Sequence, residues 1–400
     1  MDYDILILGG GPAGLSTALH LTKLAPHLTP RILLLEKERY PRPKLCAGGL
    51  TVDAESLLER LGLDVREIPH VDAKTVHFDF EGKGLRMRNR KGHTLRVTRR
   101  EDFDAWLAGK ARASGIEIRE GVTVVDVRPD TDGVTVVTDQ GDWHAKIVIG
   151  ADGSNGITRR CVLPKESVYK ARVLEVITTV VASERSERGN LLTSGGALHR
   201  GAAAPRNGSA RFEFSPVPHN ISGYVWDFPT QVNSQPRRCW GIYDANLTAA
   251  QGRPPLKELL RGEMADHGYD LDDAQVQGFP IRWFEPGNNL CAPRVLLVGD
   301  AAGADPLFGE GISFALGYGL WAAKETARAL SNDDFSFNGS RFRLLRSALG
   351  QSLLARWLIA NIVYAIRWRW FQILLWRMLK LIVILVAQAV ILNWGKRMKV

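Results

Sequence analysis

Three glycines near the beginning of the chain have the spacing of a phosphate-binding turn. Gly9, Gly11 and Gly14 form the pattern G-x-G-x-x-G, and Glu36 follows Gly14 by 22 residues. In such a turn the first glycine permits the tight bend, the second lets the backbone approach a pyrophosphate, and the third allows close helix packing. A carboxylate at the position of Glu36 can accept hydrogen bonds from both hydroxyls of an adenosine ribose. The pattern predicts a dinucleotide site, and the alternative is a tight structural turn.

The residues around this turn predict the elements that must position it. The apolar residues 4–8 precede the glycines, a helical pattern follows from Leu15, and the apolar residues 32–35 end at Glu36. Pro12 suits the first turn of a helix, because its missing N–H has no partner there. The order strand, turn, helix, strand is the context that a dinucleotide site requires.

Two later segments repeat the combination of strand, acid and glycine. The first segment, residues 151–154, follows the apolar run 146–150 and contains Asp152. The second begins at residue 299, after the apolar run 294–298, and contains Asp300. We expect the acid of the second segment, Asp300, to accept a hydrogen bond from a ribityl hydroxyl, and the amides of residues 309–311 to face a negatively charged ring. Taken alone, Asp152 and Asp300 would more often be turn or cap residues. Their order along the chain favours a flavin cofactor.

These motifs together resemble those of the FAD-dependent oxidoreductases with the p-hydroxybenzoate hydroxylase fold. The resemblance covers about the first 330 residues and includes residues 100–104, REDFD. Within that group, residues 41–50 (PRPKLCAGGL) and residues 223–229 (GYVWDFP) resemble the cysteine-glycine loop and the aromatic segment of the geranylgeranyl reductase family. Two positions depart from the family pattern, since Ala47 replaces a glycine and Ile221 replaces a proline.

The resemblance implies an α/β fold with two domains. A Rossmann-like FAD-binding domain, of the p-hydroxybenzoate hydroxylase and glutathione reductase type, is expected in residues 1–74, 96–165 and 290–340. An inserted antiparallel β-sheet substrate domain is expected in residues 75–95 and 166–289. Short runs rich in Val, Thr and aromatic residues support this sheet. They are residues 75–80, 173–180, 210–214, 224–228 and 239–243.

The same resemblance implies an FAD-dependent enzyme that saturates C=C bonds of prenyl, geranylgeranyl-type chains on a lipid, quinone or pigment. In such a reaction a hydride leaves N5 of the reduced flavin and an acid supplies a proton. One alternative is a flavin-dependent monooxygenase or halogenase of the same fold. Another is a flavoprotein subunit or assembly factor of a membrane complex. The electron donor stays open between NAD(P)H and a ferredoxin-type carrier.

By resemblance, Cys46, Tyr224 and Trp226 are the expected catalytic residues. Cys46 would act as a proton donor or a steric gate, and its basic loop can lower the pKa of a thiol. Tyr224, Trp226 and Phe228 alternate along one predicted strand, so they share a face and form either an aromatic wall for a prenyl chain or ordinary core. Arg100 is expected to reach the FAD diphosphate. The expected cofactor contacts are Gly9, Gly11, Pro12, Ala13, Gly14, Glu36, Lys37, Lys44, Cys46, Ala47, Gly48, Arg100, Val124, Asp152, Gly153, Gly299, Asp300, Pro306, Gly309, Glu310, Gly311 and Ile312.

The composition limits the class of protein. With 45% hydrophobic and 24% charged residues, 400 residues suffice for two ordinary domains, which excludes disorder. The four cysteines contain no C-x-x-C pair, so neither a disulfide framework nor a metal site is expected. The first residues lack a basic start and a cleavable apolar run, which predicts a strand and not a signal peptide, with the body on the cytosolic side.

The net charge of +9 is concentrated at the C-terminal end. Residues 335–400 carry eleven Lys or Arg and no acid, which leaves −2 for residues 1–334. Five of the eleven tryptophans lie in the same segment, among Leu, Ile and Val. A nucleic-acid partner is not expected, because a phosphate-binding patch does not need these apolar residues.

This composition predicts that residues 341–400 form basic, Trp-rich amphipathic helices attached to the cytoplasmic face of a membrane, in a peripheral, monotopic arrangement. Arg356, Arg367 and Arg377 are spaced by eleven and ten residues, which would put them on one side of a helix. The uncharged residues 381–395 span only about 22 Å of a hydrocarbon core about 30 Å thick. The alternatives are a re-entrant hairpin or a docking helix for a membrane-protein partner.

Overall fold

The computed structural model describes residues 3–90, 92–163, 170–180, 208–247 and 254–399. The strands, in chain order, are β1 (Ile5–Leu8), β2 (Ile32–Glu36), β3 (Gly49–Leu50), β4 (His70–Ala73), β5 (Thr75–Phe80), β6 (Lys83–Arg88), β7 (Leu95–Thr98), β8 (Glu117–Glu120), β9 (Val124–Pro129), β10 (Val134–Thr138), β11 (Gly141–Ala145), β12 (Ile147–Gly150), β13 (Ala171–Thr179), β14 (Ser209–Glu213), β15 (Gly223–Val232), β16 (Gln235–Asp244), β17 (Gln277–Ile281), β18 (Cys291–Ala292) and β19 (Val295–Leu297). The α-helices are α1 (Pro12–Leu24), α2 (Val52–Arg60), α3 (Arg100–Ala113), α4 (Arg159–Val162), α5 (Leu256–Asp266), α6 (Ile312–Asn332), α7 (Ser340–Arg346), α8 (Ala348–Ala365), α9 (Arg369–Ile373), α10 (Lys380–Val386) and α11 (Trp394–Arg397).

The most apolar runs form a six-stranded sheet in the order β18-β19-β12-β1-β2-β8. β1 pairs in parallel with β2 and β12, and Ile5 lies opposite both Ile32 and Ile147. The side chains of β1, β2 and β12 are buried, as expected for parallel strands covered on both faces. Helices α1 and α6 pack closely, since Ser16 Oγ donates to the carbonyl of Leu316 at 2.8 Å.

A second sheet has seven strands in the order β17-β13-β16-β15-β14-β5-β6. Its pairs are antiparallel except for β14 with β5, which run parallel. Each of the five runs predicted as strands overlaps one strand of this sheet. Helix α5 covers one face, where Leu260 and Met264 pack on Trp240 and Ile242. Two three-stranded sheets, β11-β10-β9 and β3-β7-β4, complete the strand order.

The C-terminal segment packs against both large sheets. Leu349, Leu353 and Trp394 belong to the core that surrounds the six-stranded sheet. Tyr364 and Trp376 belong to the core of the seven-stranded sheet. The residues after 340 are therefore an integral part of the packed structure.

The prediction that three arginines share one side of a helix is wrong. Helix α8, which contains Arg356, ends at Ala365. Arg367 lies in the connection to α9, and Arg377 lies in the π-helical turn Leu374–Met378. Arg356 is buried, and Arg377 donates to the carbonyl of Phe80 at 2.7 Å. The spacing argument assumed one unbroken helix, which the turn after Ala365 interrupts.

Among the described residues, no single helix has the length and apolar character needed to cross a bilayer. The pair Arg369–Met378 and Lys380–Arg397 has them only when both helices are taken together, and the two are bent by 76°.

Candidate functional site

A cavity of about 980 Å³ lies between the two large sheets. The turns after β1, β2 and β12 line one side, so the cavity opens at the carboxyl ends of these parallel strands. The seven-stranded sheet lines the other side with the face that α5 leaves uncovered. Two predicted motifs from distant parts of the sequence therefore face one space.

The glycine turn has the geometry that its spacing predicts. A side-chain carbon on Gly14 would lie 2.1 Å from the carbonyl oxygen of Gly9, so only glycine lets α1 approach the turn. A carbon on Gly11 would meet nothing closer than Arg42 at 3.9 Å, which leaves room beside this backbone. Helix α1 begins at Pro12 with its N-terminus at the cavity, where backbone N–H groups can bind a phosphate.

Glu36 ends β2 at the cavity wall, where the sequence predicts it. Its two carboxylate oxygens accept from the backbone N–H of Gly10 at 2.7 Å and of Glu38 at 3.0 Å. The guanidinium of Arg42 lies 3.4 Å from the same carboxylate and 3.3 Å from that of Asp104. These contacts fix the carboxylate beside the glycine turn, and Arg42 is a cavity residue that the sequence analysis did not single out.

Arg100 is held at the cavity by an acid on its own helix. Its guanidinium makes two hydrogen bonds of 2.8 Å to Asp104, one turn along α3. The loop that contains Lys44 and Cys46 lies against it and lines the cavity. The ammonium group of Lys44 sits 3.5 Å from the ring centre of Phe279, and burial lowers its pKa.

The expectation of a lowered thiol pKa is wrong for Cys46. Burial raises the pKa of this thiol, and the nearby charge of Arg100 opposes the shift without overcoming it. A basic loop in the sequence indicates charge but not burial, and burial has the larger effect here.

The two predicted aspartates differ in their contacts. One oxygen of Asp152 accepts from the backbone N–H and hydroxyl of Thr158 at 2.9 and 2.8 Å, while Oδ1 is buried and has no partner within the described ranges. Asp300 lies at the cavity wall near Lys44, and burial raises the pKa of both aspartates. One oxygen of Asp152 therefore stabilises the turn, and the other can still accept a hydrogen bond.

These features fit FAD, the cofactor that the resemblance implies. An open glycine turn at a helix N-terminus suits the diphosphate, and the fixed carboxylate at the end of β2 suits a ribose. The unpartnered Oδ1 of Asp152 can accept a hydrogen bond from the cofactor. The predicted cofactor residues line the cavity, with three exceptions. Gly14, Gly48 and Pro306 lie behind its wall, where they shape the turns and do not contact the space.

Tyr224, Trp226 and Phe228 project from β15 into the cavity, as their alternation predicts. Phe212 and Phe78 from the next two strands extend the same wall, and their rings stack with centres 4.9 Å apart. The hydroxyl of Tyr224 donates to the carbonyl of Phe308, and burial raises its pKa well above the ordinary value. Tyr224 therefore also holds the loop that follows the third glycine motif.

That loop, residues 305–311, is fixed by residues from distant elements. Tyr243 donates to the carbonyl of Pro306 at 3.0 Å, and Tyr364 of α8 donates to that of Leu307 at 2.5 Å. Arg356 of α8 binds Asp305 at 2.6 Å and Glu310 at 2.9 Å. The sequence analysis missed Tyr364 and Arg356, because it assigned their segment to a membrane surface.

Comparison with known proteins agrees with this geometry. A family model described as an FAD binding domain matches residues 2–316. The digeranylgeranylglycerophospholipid reductase 2 of Methanosphaera stadtmanae is 27% identical over 355 residues, which cover 84% of this chain and 81% of the relative.

Solved structures show a similar fold. A geranylgeranyl bacteriochlorophyll reductase-like protein from Thermoplasma acidophilum gives a TM-score of 0.71 at 20% identity, covering 90% of this chain and 87% of that one. A flavin-dependent halogenase, CmlS, gives a TM-score of 0.64 at 21% identity. The match covers 90% of this chain and 66% of the halogenase chain. At these identities the likeness establishes the fold alone.

Proposed function

We infer the function from an established premise: the chain belongs to the FAD-binding domain family. It is an FAD-dependent oxidoreductase, and its cofactor is FAD. We propose that it saturates C=C bonds of prenyl, geranylgeranyl-type chains carried by a lipid, quinone or pigment. When bound, reduced FAD supplies a hydride for this reaction.

The observation that carries the proposal is the aromatic wall across the cavity from the glycine turn. Phe78, Phe212, Tyr224, Trp226 and Phe228 present a continuous apolar surface to that space. An isolated alkene offers no charge to bind, so an enzyme can hold it only by apolar packing and must keep water away. The relative named as a lipid reductase, which covers most of both chains, supports the same substrate class.

The residues that would hold FAD follow from the geometry of the site. We assign the N-terminus of α1 and Arg100 to the diphosphate and Glu36 to the adenosine ribose, because all three lie at the cavity. Asp300 is placed for the ribityl chain. The loop of Cys46 lies between these groups and the aromatic wall, where it can orient an alkene against the cofactor.

The test uses the full-length FAD-bound protein, reduced by dithionite without air, and a mixture of prenyl lipids. The expected result is a gain of hydrogen pairs in the lipid, detected by mass spectrometry without air. A fully saturated lipid is the control and should be unchanged. Gain of oxygen only in air would favour a monooxygenase or halogenase instead, and no product in either condition would favour a non-catalytic flavoprotein subunit. Dithionite reduces the flavin directly, so this test does not identify the natural electron donor. Replacing dithionite by NAD(P)H or by a reduced ferredoxin-type carrier would identify it.

We also propose that the C-terminal segment attaches the enzyme to the cytoplasmic face of a membrane. The support is an exposed apolar surface at α9, the residue before it, and α10, where Trp368 is 66%, Trp370 59% and Leu381 76% exposed. Of the eleven bases after Asp334, Arg356 is buried, but Lys380, Lys396 and Arg397 are exposed and can complement anionic lipid headgroups. A prenyl chain could then pass from the bilayer to the cavity, whose wall includes Ile391 of the same segment.

Vesicle flotation tests this attachment. The wild-type protein should float with anionic phosphatidylglycerol vesicles, and less with neutral phosphatidylcholine vesicles. The triple variant Trp368→Ser, Trp370→Ser, Leu381→Ser should stay at the bottom of the gradient. Val125→Ser, which changes an exposed apolar residue outside the C-terminal segment, on β9, is the matched control. Equal flotation of the triple variant and the wild type would refute the assignment of this surface.

A further inference from the structure

Glu175 lies in the middle of β13, on the sheet face that lines the cavity. The strand register puts it opposite Gly241 on β16, and Gly241 lies opposite Trp226 on β15. Directly opposed residues share a face, so the three residues form one row. A side-chain carbon on Gly241 would lie 2.0 Å from the indole of Trp226, so the indole extends across the glycine toward Glu175.

The carboxyl of Glu175 is buried, and only part of its hydrogen-bonding capacity is used. The residue is 6% exposed, and its Oε2 has no hydrogen-bond partner among the residues that the structure describes. Its neighbours on this face include Val173, Ile177 and Phe279, which are apolar. An unpartnered oxygen on a buried acid costs free energy, and protonation of the carboxyl lowers that cost.

Several polar groups face this carboxyl from the elements packed around it. They are the thiol of Cys239 on β16, the backbone N–H of Cys46 in the loop, and the charge of Arg99 before α3. Gln277 lies opposite on β17. Burial raises the pKa of Glu175 to about 7, because these groups offset the desolvation only in part.

Other candidates for an acid at this wall are engaged elsewhere. The hydroxyl of Tyr224 donates to the carbonyl of Phe308. Glu310 lies in the loop that Tyr224 holds, but it is paired with Arg356 at 2.9 Å. Within the described part of the chain, the other acids that line the cavity belong to the strand ends and loops of the glycine motifs. They are Glu36, Glu38, Asp152, Asp300 and Glu310. Glu175 thus presents a carboxyl where a prenyl chain would pack.

We propose that Glu175 is the catalytic proton donor for alkene reduction, a role that rests on the proposed function. One alkene carbon gains a hydride with its two electrons. The other carbon forms its C–H bond with the proton of the Glu175 carboxyl as the O–H bond breaks. The products are the saturated chain and the Glu175 carboxylate, which takes up a proton from solvent before the next turnover. Atoms and charge balance with no further reactant.

The test compares Glu175→Gln and Glu175→Asp with the wild type in single turnovers of the dithionite-reduced, FAD-bound protein. Glu175→Gln should lose about 10²-fold or more of the reduction rate, the usual contribution of a general acid, with unchanged FAD content. The wild-type rate should fall as pH rises through about 7. Glu175→Asp keeps a protonatable group and should keep a falling limb, whereas the Gln variant should have none. Glu263→Gln, a buried acid on the α5 side of the sheet, is the matched control and should react like the wild type.

Infrared titration of the oxidised protein gives a readout that does not depend on turnover. Burial raises the pKa of Glu263 to about 7 as well, so the wild type should show two protonated-carboxyl contributions that disappear as pH rises through about 7. Glu175→Gln should lack one of them and Glu263→Gln the other, so each variant is read as its difference from the wild type. If Glu175→Gln fails to retain FAD, the pH dependence of the reduction rate of Glu175→Asp tests the donor role instead. A profile identical to that of the wild type would overturn the donor role, and a shifted falling limb would support it.

Two other outcomes would also overturn the proposal. An active wild type with an equally active Glu175→Gln variant refutes the donor role alone. A wild type that reduces no prenyl lipid refutes the proposed function, and the donor role with it.

Discussion

Replacing Arg356 by Met should destabilise the whole protein, although Arg356 lies in the basic C-terminal segment. The guanidinium is 2% exposed and binds Asp305 at 2.6 Å and Glu310 at 2.9 Å. Its removal leaves two carboxylates without their cation. Breaking a buried ion pair by removing one partner typically costs about 3–5 kcal/mol, and we expect a loss of this size at neutral pH.

The loss should shrink as pH falls. Burial already raises the pKa of Asp305 with Arg356 beside it, and without the cation this pKa should rise further. Protonation then removes the uncompensated charge, so the variant recovers stability relative to the wild type in acid.

Urea denaturation of the FAD-bound protein, followed by tryptophan fluorescence, measures this difference. Arg346→Met is the control, because Arg346 is an exposed arginine of the same segment and its loss should cost at most about 0.5 kcal/mol. A loss below about 1 kcal/mol for Arg356→Met would equal that of a surface ion pair. The reasoning that makes α8 an integral part of the fold would then be wrong.

Three further changes test other parts of the site. Glu36→Arg puts a second guanidinium beside Arg42 and should weaken FAD binding by about 10-fold or more, measured as flavin absorbance per chain after gel filtration; unchanged flavin content would contradict the ribose role. Gly14→Ala puts a carbon 2.1 Å from the carbonyl of Gly9 and should cost about 1–3 kcal/mol by displacing the turn, and calorimetry that finds the wild-type Tm would contradict the close approach. Folding raises the pKa of Glu175 from 4.5 to about 7. The protonated carboxyl therefore favours the folded state fully below pH 4.5, and this contribution to the free energy of unfolding is lost as pH rises through about 7. Glu175→Gln should therefore gain stability relative to the wild type by at most about 1.4 kcal/mol per pH unit in that interval. Urea denaturation that gives the same stability difference between variant and wild type at both ends of the interval would contradict the buried position.

The sequence predicted those parts of the site that depend on local patterns. The glycine turn before α1 and the alternating aromatic residues of β15 are readable because helix and strand periods are short. The same patterns located Glu36 and Asp300 at strand ends, where the cavity opens.

The missed residues depend on contacts between distant segments. Arg356 binds an acid 51 residues earlier, and no local pattern distinguishes it from an arginine at a lipid surface. Glu175 is a single acid within the apolar run 173–177, and no local pattern shows which groups its carboxyl faces. Its burial follows from the register that sets it beside Gly241 and Trp226.

The loop after β19 is held from two directions at once. Tyr224 and Tyr243 donate to the carbonyls of Phe308 and Pro306 from the seven-stranded sheet. Tyr364 of α8 donates to the carbonyl of Leu307 between them. The three hydroxyls join the cofactor side of the cavity, its aromatic wall and the C-terminal segment into one mechanical unit. Any ligand that shifts α8 must therefore also shift the loop beside the cofactor. Thermodynamic linkage is reciprocal, so the affinity of a ligand that acted on α8 in this way would in turn depend on the cofactor.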